Sequence, residues 1–145
     1  MTTVRDIIRK KGNEIWSIAP DDTVYDALQL MAEKGAGALL VMTGNQVIGI
    51  LSERDCVRKV DLQGRTTRAT QVREVMTSNV ISVQVTEQLE DCMTTMLEKN
   101  IRHLPVYEGA YLLGLISIRD VLREVVDVQK SLIAQLERFI TGGGR

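Results

Sequence analysis

Two strings in this chain carry the residue types that could hold a phosphorylated sugar: Gly49-Ile-Leu-Ser52-Glu-Arg54-Asp55 and Gly114-Leu-Ile-Ser117-Ile-Arg119-Asp120. Each leads from an apolar stretch of strand length into a helical pattern. A carboxylate at such a junction can accept both hydroxyls of a ribose, while Ser and Arg reach a phosphate. The first turn of the following helix adds free N–H groups that favour an anion. The spacing also has a purely structural reading, because Ser-x-x-Asp is a helix capping box. Three features favour more than a cap. The Arg before each Asp repeats, Asp is shorter than the Glu or Gln that usually closes the box, and both strings sit at a strand's C-terminal end. Gly49 and Gly114 either admit a ligand close to the backbone or serve strand packing.

Other chemistry is poorly provided for. The chain has a single histidine, His103, and two cysteines, Cys56 and Cys92, so a catalytic or metal constellation needing two histidines or a CxxC pair is excluded. Both cysteines fall in apolar helical patterns and read as buried thiols in a reducing compartment. No P-loop and no nucleophile–base pair is present, which argues against an enzyme.

The elements that must position the two strings are written twice. Shifting the sequence by 65 residues lays positions 17–60 on 82–125 without a gap, and 14 of the 44 pairs are identical, Ser17/Ser82, Met31/Met96 and Leu39/Leu104 among them. Average composition would give about two or three. A shorter echo precedes each copy, Val4-Arg-Asp-Ile-Ile8 against Val72-Arg-Glu-Val-Met76, at an offset of 68. The boundaries read as 1–60 for the first repeat, 61–70 for a polar linker in which Arg65 and Arg68 are solvated loop charges, 71–125 for the second repeat, and 126–145 for a helical extension with a Gly-rich tail.

Within each copy the pattern predicts a short strand at 15–18 or 80–83, then an amphipathic helix carrying Val24, Ala27, Leu28 and Met31, or Leu89, Cys92, Met93 and Met96. Asp22 and Thr86 are the expected N-caps. A hairpin follows, 38–42 with 47–51 or 103–107 with 112–116, turning at Gly44 or Gly109, and a second helix starts at Glu53 or Ile118. The fold class is α/β of the α+β type. Two β-α-β-β-α units, each too small to cover its own sheet, pack as one pseudo-symmetric module. The last helix keeps apolar spacing from Leu122 to Ile140, longer than one module needs, which predicts a partner chain ahead of simple core packing, with Gly142 as its C-cap.

The 145 residues carry 18 basic and 19 acidic side chains, a net charge of -1, and only five aromatics, so neither a polyanion-binding surface nor a base-stacking platform is indicated. Nucleic acid is therefore not an expected partner. The N-terminus lacks the apolar core of a signal peptide and no stretch approaches membrane-spanning length. The expectation is a cytoplasmic protein with no membrane partner.

The duplicated unit with its Gly-h-h-Ser-x-x-Asp ending, together with Ile101-Arg-His-Leu-Pro-Val106, resembles a tandem pair of CBS domains, a Bateman module, of the small free-standing bacterial kind. The resemblance implies a regulatory module without catalysis, binding an adenine-bearing ligand: AMP first, with ADP, ATP, NAD or S-adenosylmethionine as alternatives. It implies that Asp55 and Asp120 hold ribose hydroxyls, with Ser52, Arg54, Ser117 and Arg119 beside them. Arg102 and His103, within the Ile101–Pro105 string that includes Leu104, match positions that approach phosphates. Thr77, Ile81 and Ser82 match the segment bordering adenine, and pockets in such proteins draw on both copies. Trp16 and Ser17 occupy the places of Ile81 and Ser82 in the first copy, where Trp16 either stacks on a base or fills the core. Gly37 and Ala38 stand where the second copy has Arg102 and His103, which weakens phosphate binding there. The segment Arg9–Gly12 departs from the pattern and leaves the first copy's Thr77 equivalent open. A homodimer that signals to a protein effector is expected; the alternative is an oligomerisation scaffold with vestigial pockets.

Overall fold

A computed structural model describes residues 2–12 and 14–142. It contains two three-stranded sheets in two compact units, one formed by residues 14–81 and the other by residues 1–13 with 82–145.

In the unit of residues 14–81, β1 (Ser17–Ile18) pairs in parallel with β2 (Ala38–Thr43), which pairs antiparallel with β3 (Gln46–Ser52); the helix α2 (Val24–Lys34) connects β1 to β2. A short helix α3 (Glu53–Cys56) runs into a π-helical turn at Val57–Asp61, and the chain returns through α4 (Val72–Val75). The core gathers Val24, Ala27 and Met31 of α2, Leu39, Val41 and Leu51 of the sheet, and Val72 and Val75 of α4, all buried. The other unit repeats the plan, with α1 (Val4–Lys11) playing the part of α4. The strand β4 (Val83–Gln84) leads through α5 (Leu89–Lys99) to β5 (His103–Glu108), and β6 (Tyr111–Ser117) leads into α6 (Ile118–Ile140). The hairpin registers match pair for pair at the 65-residue offset, including a shift after Val41 and after Val106. Gly44 and Gly109 turn the hairpins, both with φ 59.

The compact units do not follow the repeat boundaries, because each entry helix packs on the other copy. The amides of Val4 and Arg5 donate to the carbonyls of Glu87 and Val85, and those of Val72 and Arg73 donate to Asp22 and Pro20. Val4 and Ile7 on one side, and Val72 and Val75 on the other, are buried by this exchange. Helices this short are marginal alone and need such a face to cover.

The exchange also displaces the expected helix starts. Thr23 bridges Gln71 and Gln88 bridges Thr3, which holds both residues extended as N-caps in place of Asp22 and Thr86. The carbonyls of Thr70 and Thr2 then accept the first helical amides, Val24 and Leu89. Both helices close on a left-handed residue, Gly35 (φ 64) and Asn100 (φ 52), the two residue types that accept that conformation most readily. The first strands are shorter than expected and begin at Ser17 and Val83.

The linker is structured. Thr70 is buried, with its hydroxyl donating to the Thr66 carbonyl at 2.7 Å. Arg65 and Arg68 are not merely solvated, since Arg65 pairs with Glu74 and Arg68 lies 3.8 Å from the centre of the Tyr25 ring. Helix α6 ends at Ile140 with Thr141 as its cap, and Gly142, one residue later, has φ 83. The remainder of the expected Gly-rich tail, 143–145, lies outside the described residues. Beyond Glu124 the helix buries little: Leu132, Ile133, Leu136, Phe139 and Ile140 are all exposed. Among the described residues no helix is long and apolar enough to cross a membrane.

Candidate ligand-binding site

Both Ser-x-x-Asp strings stand at a strand-to-helix junction and form the same local structure. The Asp55 amide donates to Ser52 Oγ at 3.1 Å and the Ser52 amide donates to Asp55 Oδ2 at 3.0 Å. At the second junction the Asp120 amide donates to Ser117 Oγ at 3.1 Å and the Ser117 amide to Asp120 Oδ2 at 2.8 Å. Asp thus closes the capping box despite its length, contrary to the expectation drawn from the usual Glu or Gln. In each case the cap uses only Oδ2. Arg54 is half-buried and Arg119 exposed, and neither enters an ion pair among the described residues.

The second carboxylate oxygens differ. Asp55 Oδ1 lies 3.2 Å from Lys59 Nζ, one helical turn on, and Lys59 also donates to the Val75 carbonyl. Position 124, the counterpart of Lys59 at the 65-residue offset, is a buried glutamate. Positive charge reaches Asp120 from helix α1 instead: Lys11 Nζ donates to Asp120 Oδ2 at 2.6 Å and to the Leu115 carbonyl at 2.8 Å. Lys10 meets Glu124 at 2.9 Å and Asp127 at 3.5 Å. Burial alone would raise the Asp120 carboxyl, but the Lys11 ammonium and the Ser117 amide outweigh it and hold it below the usual carboxylate range. A cleft of about 110 Å³ opens between Ile7, Lys10 and Lys11 of α1 and the first turns of α6.

The β5–β6 register sets His103 opposite Ser117, with Arg102 beside it, its carbonyl accepting the Ile118 amide at 2.8 Å. The pattern therefore brings Arg102, His103, Ser117 and Asp120 to one end of one sheet. Burial, then the Lys11 and Arg102 charges, push the His103 imidazole below its ordinary value, against the opposing pull of Asp120. Leu104 and Pro105 are buried in β5 and Ile101 is half-buried ahead of it, so these three shape the strand rather than face solvent.

The matching end of the first sheet pairs Ala38 with Ser52, and the Gly37 carbonyl accepts the Glu53 amide at 3.0 Å. Ala38, where the second sheet has His103, carries no hydrogen-bonding side chain. Thr77 lies beside this junction, exchanging two backbone hydrogen bonds with Ile50 at 2.9 and 3.0 Å. Ile81 belongs to the same unit, whereas Ser82 falls in the unit of Asp120. Trp16 is half-buried against the core of the first sheet, with Lys34 Nζ 5.9 Å from its ring centre, and Ser17 is exposed on β1. Gly49 serves packing: a Cβ there would stand 2.6 Å from the Met76 sulfur and 3.0 Å from the Thr77 carbonyl oxygen.

Lys11 and Lys10 were absent from the residues singled out by pattern. The visible signal was the disturbed segment Arg9–Gly12 together with the change of Lys59 to Glu124. What spacing could not show is that residue 11 reaches residue 120. Among the described residues no group of three or more His, Cys, Asp or Glu is placed to hold a metal ion.

A family model for the CBS domain matches residues 3–62 and 72–127. The chain is a tandem CBS-domain protein. It is 36% identical over 152 residues to the mitochondrial CBS domain-containing protein CBSX3 of Arabidopsis thaliana, covering 98% of this chain and 73% of that protein. A solved protein with CBS domains from Burkholderia ambifaria shares 46% identity with a TM-score of 0.84, over 87% of this chain and 95% of that one. A hexameric CBS-CP12 protein from bloom-forming cyanobacteria shares 31% identity with a TM-score of 0.75, over 84% and 70%. The expected fold and family are thus shown, and a tandem CBS pair supports a regulatory module.

Proposed function

We propose that this CBS pair is a non-catalytic sensor that binds an adenine nucleotide, AMP before ADP, ATP or NAD, and signals occupancy to a protein effector through rearrangement of a homodimer. One observation carries the reading. At the Ser117–Asp120 junction the cap leaves Oδ1 of a half-buried carboxylate with no hydrogen-bond partner among the described residues, while Lys11 sits on Oδ2 and the register brings His103, with Arg102 before it, to the same end of the sheet. A ribose needs the first and a phosphate the second. The cleft of about 110 Å³ beside Lys11 and Asp120 is smaller than a typical ligand pocket of roughly 300–1,000 Å³, and a rearrangement that enlarges it belongs to the proposal. Such a rearrangement would suit a module whose two states differ in ligand affinity.

The test is thermal unfolding of ligand-stripped protein with adenosine, AMP, ADP, ATP, NAD and S-adenosylmethionine at millimolar concentration. A rise for AMP that adenosine does not give supports a phosphate-reading pocket; no rise with any of them refutes the reading.

The exposed apolar face of α6 favours a second reading, an oligomerisation scaffold. It runs from Leu122 (48% exposed) to Ile140 (79% exposed), too continuous to be left to solvent in a stable chain. Its occupant on this reading is a second copy of the chain, in keeping with a structural relative that is itself hexameric. Removing residues 129–145, which leaves Glu124 and Asp127 with Lys10, separates the two, because a scaffold loses its assembly while a ligand site keeps its affinity.

A further inference from the structure

We propose that Lys11, carried by the N-terminal helix, is a specificity-determining residue of the Asp120 site and discriminates between nucleosides and nucleoside phosphates; this rests on the nucleotide-binding reading above. An ammonium has three N–H donors. Two are placed, one on Asp120 Oδ2 at 2.6 Å and one on the Leu115 carbonyl at 2.8 Å. The third remains for a ligand. Because Lys11 and the Ser117 amide both sit on Oδ2, the carboxylate is clamped through one oxygen and presents Oδ1 to a ribose hydroxyl. Lys11 therefore does not have to leave when a ribose arrives.

The neighbouring charges keep Lys11 available. Lys10 is committed to Glu124 and Asp127, so those two carboxylates draw on Lys10 rather than on Lys11. Arg102 stands beside His103, just ahead of β5, and it and Lys11 both act on the imidazole. A phosphate attached to a ribose on Oδ1 then meets Lys11 from α1 and Arg102 from the start of β5. The first copy has no such arrangement. Its lysine, Lys59, occupies Asp55 Oδ1, the oxygen that the second copy leaves open, and Gly37 stands where Arg102 would be.

The test is calorimetric titration of the full chain and of Lys11→Met and Lys11→Arg with AMP and with adenosine. Lys11→Met is expected to weaken AMP by about tenfold or more, the worth of one charge-assisted hydrogen bond, while adenosine changes less than about threefold. Lys11→Arg keeps most of the discrimination. An equal loss for both ligands would mean that Lys11 only steadies Asp120, and unchanged affinities would mean that it lies outside the site; either overturns the proposal. A wild-type chain that binds neither ligand removes the nucleotide-binding reading itself, and the proposal with it.

Discussion

Removing both aspartates, as Asp55→Ala with Asp120→Ala, separates a cap from a ligand site because the two roles predict different pairs of readings. Each carboxylate accepts its N-cap amide, and losing such a cap costs about 1 kcal/mol. Asp120 also loses Lys11, a pair whose side chains are 15% and 37% exposed and whose worth solvent holds to about 1 kcal/mol or less. Asp55 loses an i,i+4 partner worth about 0.3–0.5 kcal/mol. The double variant should therefore be less stable by about 2–3 kcal/mol, a fall in Tm of about 4–12 °C at about 2–4 °C per kcal/mol. That fall is expected on either role. The ligand readout is not. On the ribose role, AMP at 100 times its Kd would stabilise the wild type by about 2.7 kcal/mol, or roughly 5–11 °C. Two lost hydrogen bonds to a charged group, at the low end of their range, weaken AMP by about 100-fold. The same concentration then equals Kd and adds only about 0.4 kcal/mol, near 1–2 °C. Differential scanning fluorimetry at matched AMP reads both numbers. A double variant that melts lower but keeps its full AMP-induced rise would refute the ribose role and leave the capping box as the whole explanation.

The two strand glycines should respond unequally. Gly49→Ala drives a methyl against the Met76 sulfur and the Thr77 carbonyl and should cost about 1–3 kcal/mol in urea unfolding, whereas Gly114→Ala meets only the end of Ile8 at 3.3 Å and should be near neutral; equal losses would overturn the packing role. His103 is held neutral in the folded chain, so the unfolded chain binds its proton first as pH falls. Its contribution is complete above about 6.5 and is lost as pH drops toward the lower folded value, so the urea midpoint should decline from pH 7 to 5 in the wild type and less steeply in His103→Gln. Leu136→Glu alters an exposed position (60%) and should leave folding within about 0.5 kcal/mol while dissociating any oligomer built on α6, as sedimentation would show; an unchanged assembly removes that face from the interface. Cys56 and Cys92 are buried and their thiols pushed up to about 11, chiefly by burial, so iodoacetamide at pH 8 should label neither until the chain is unfolded.

Much of the architecture was legible because periodicity and duplication are local signals. The first hairpin strands start at Ala38 and His103 as expected, the other strand ends each run one residue further, and the second helices start at Glu53 and Ile118 as the Ser-x-x-Asp spacing requires. The N-caps were not legible. Asp22 and Thr86 are good capping types, but a bridge from a segment distant in sequence, Gln71 or Thr3, keeps Thr23 and Gln88 extended, and this outweighs a local preference worth about 1 kcal/mol. The exchange of entry helices was hidden for the same reason. Val4 and Val72 read as equivalent in the echo, yet nothing in that echo says that each is buried against the other copy.

The chemistry of the second junction shows where a duplicated sequence can and cannot be trusted. The two aspartates, serines and arginines are identical pairs, and by type alone the copies promise the same site. Their counter-charges break the symmetry. In the first copy Lys59 sits one turn after Asp55, so the carboxylate is neutralised from its own helix and both of its oxygens are engaged. In the second copy that lysine has become Glu124, which would place two carboxylates one turn apart in a half-buried setting and is tolerable only if cations arrive from elsewhere. Lys10 and Lys11 are those cations, one for each acid. The basic end of α1 stands in for the lysine that Glu124 replaces, and it brings an ammonium to the one junction that also carries Arg102 and His103. On the nucleotide-binding reading proposed above, a ligand bearing negative charge would gain from this at the second copy, which makes the difference between the repeats, more than their likeness, the guide to which junction to test first.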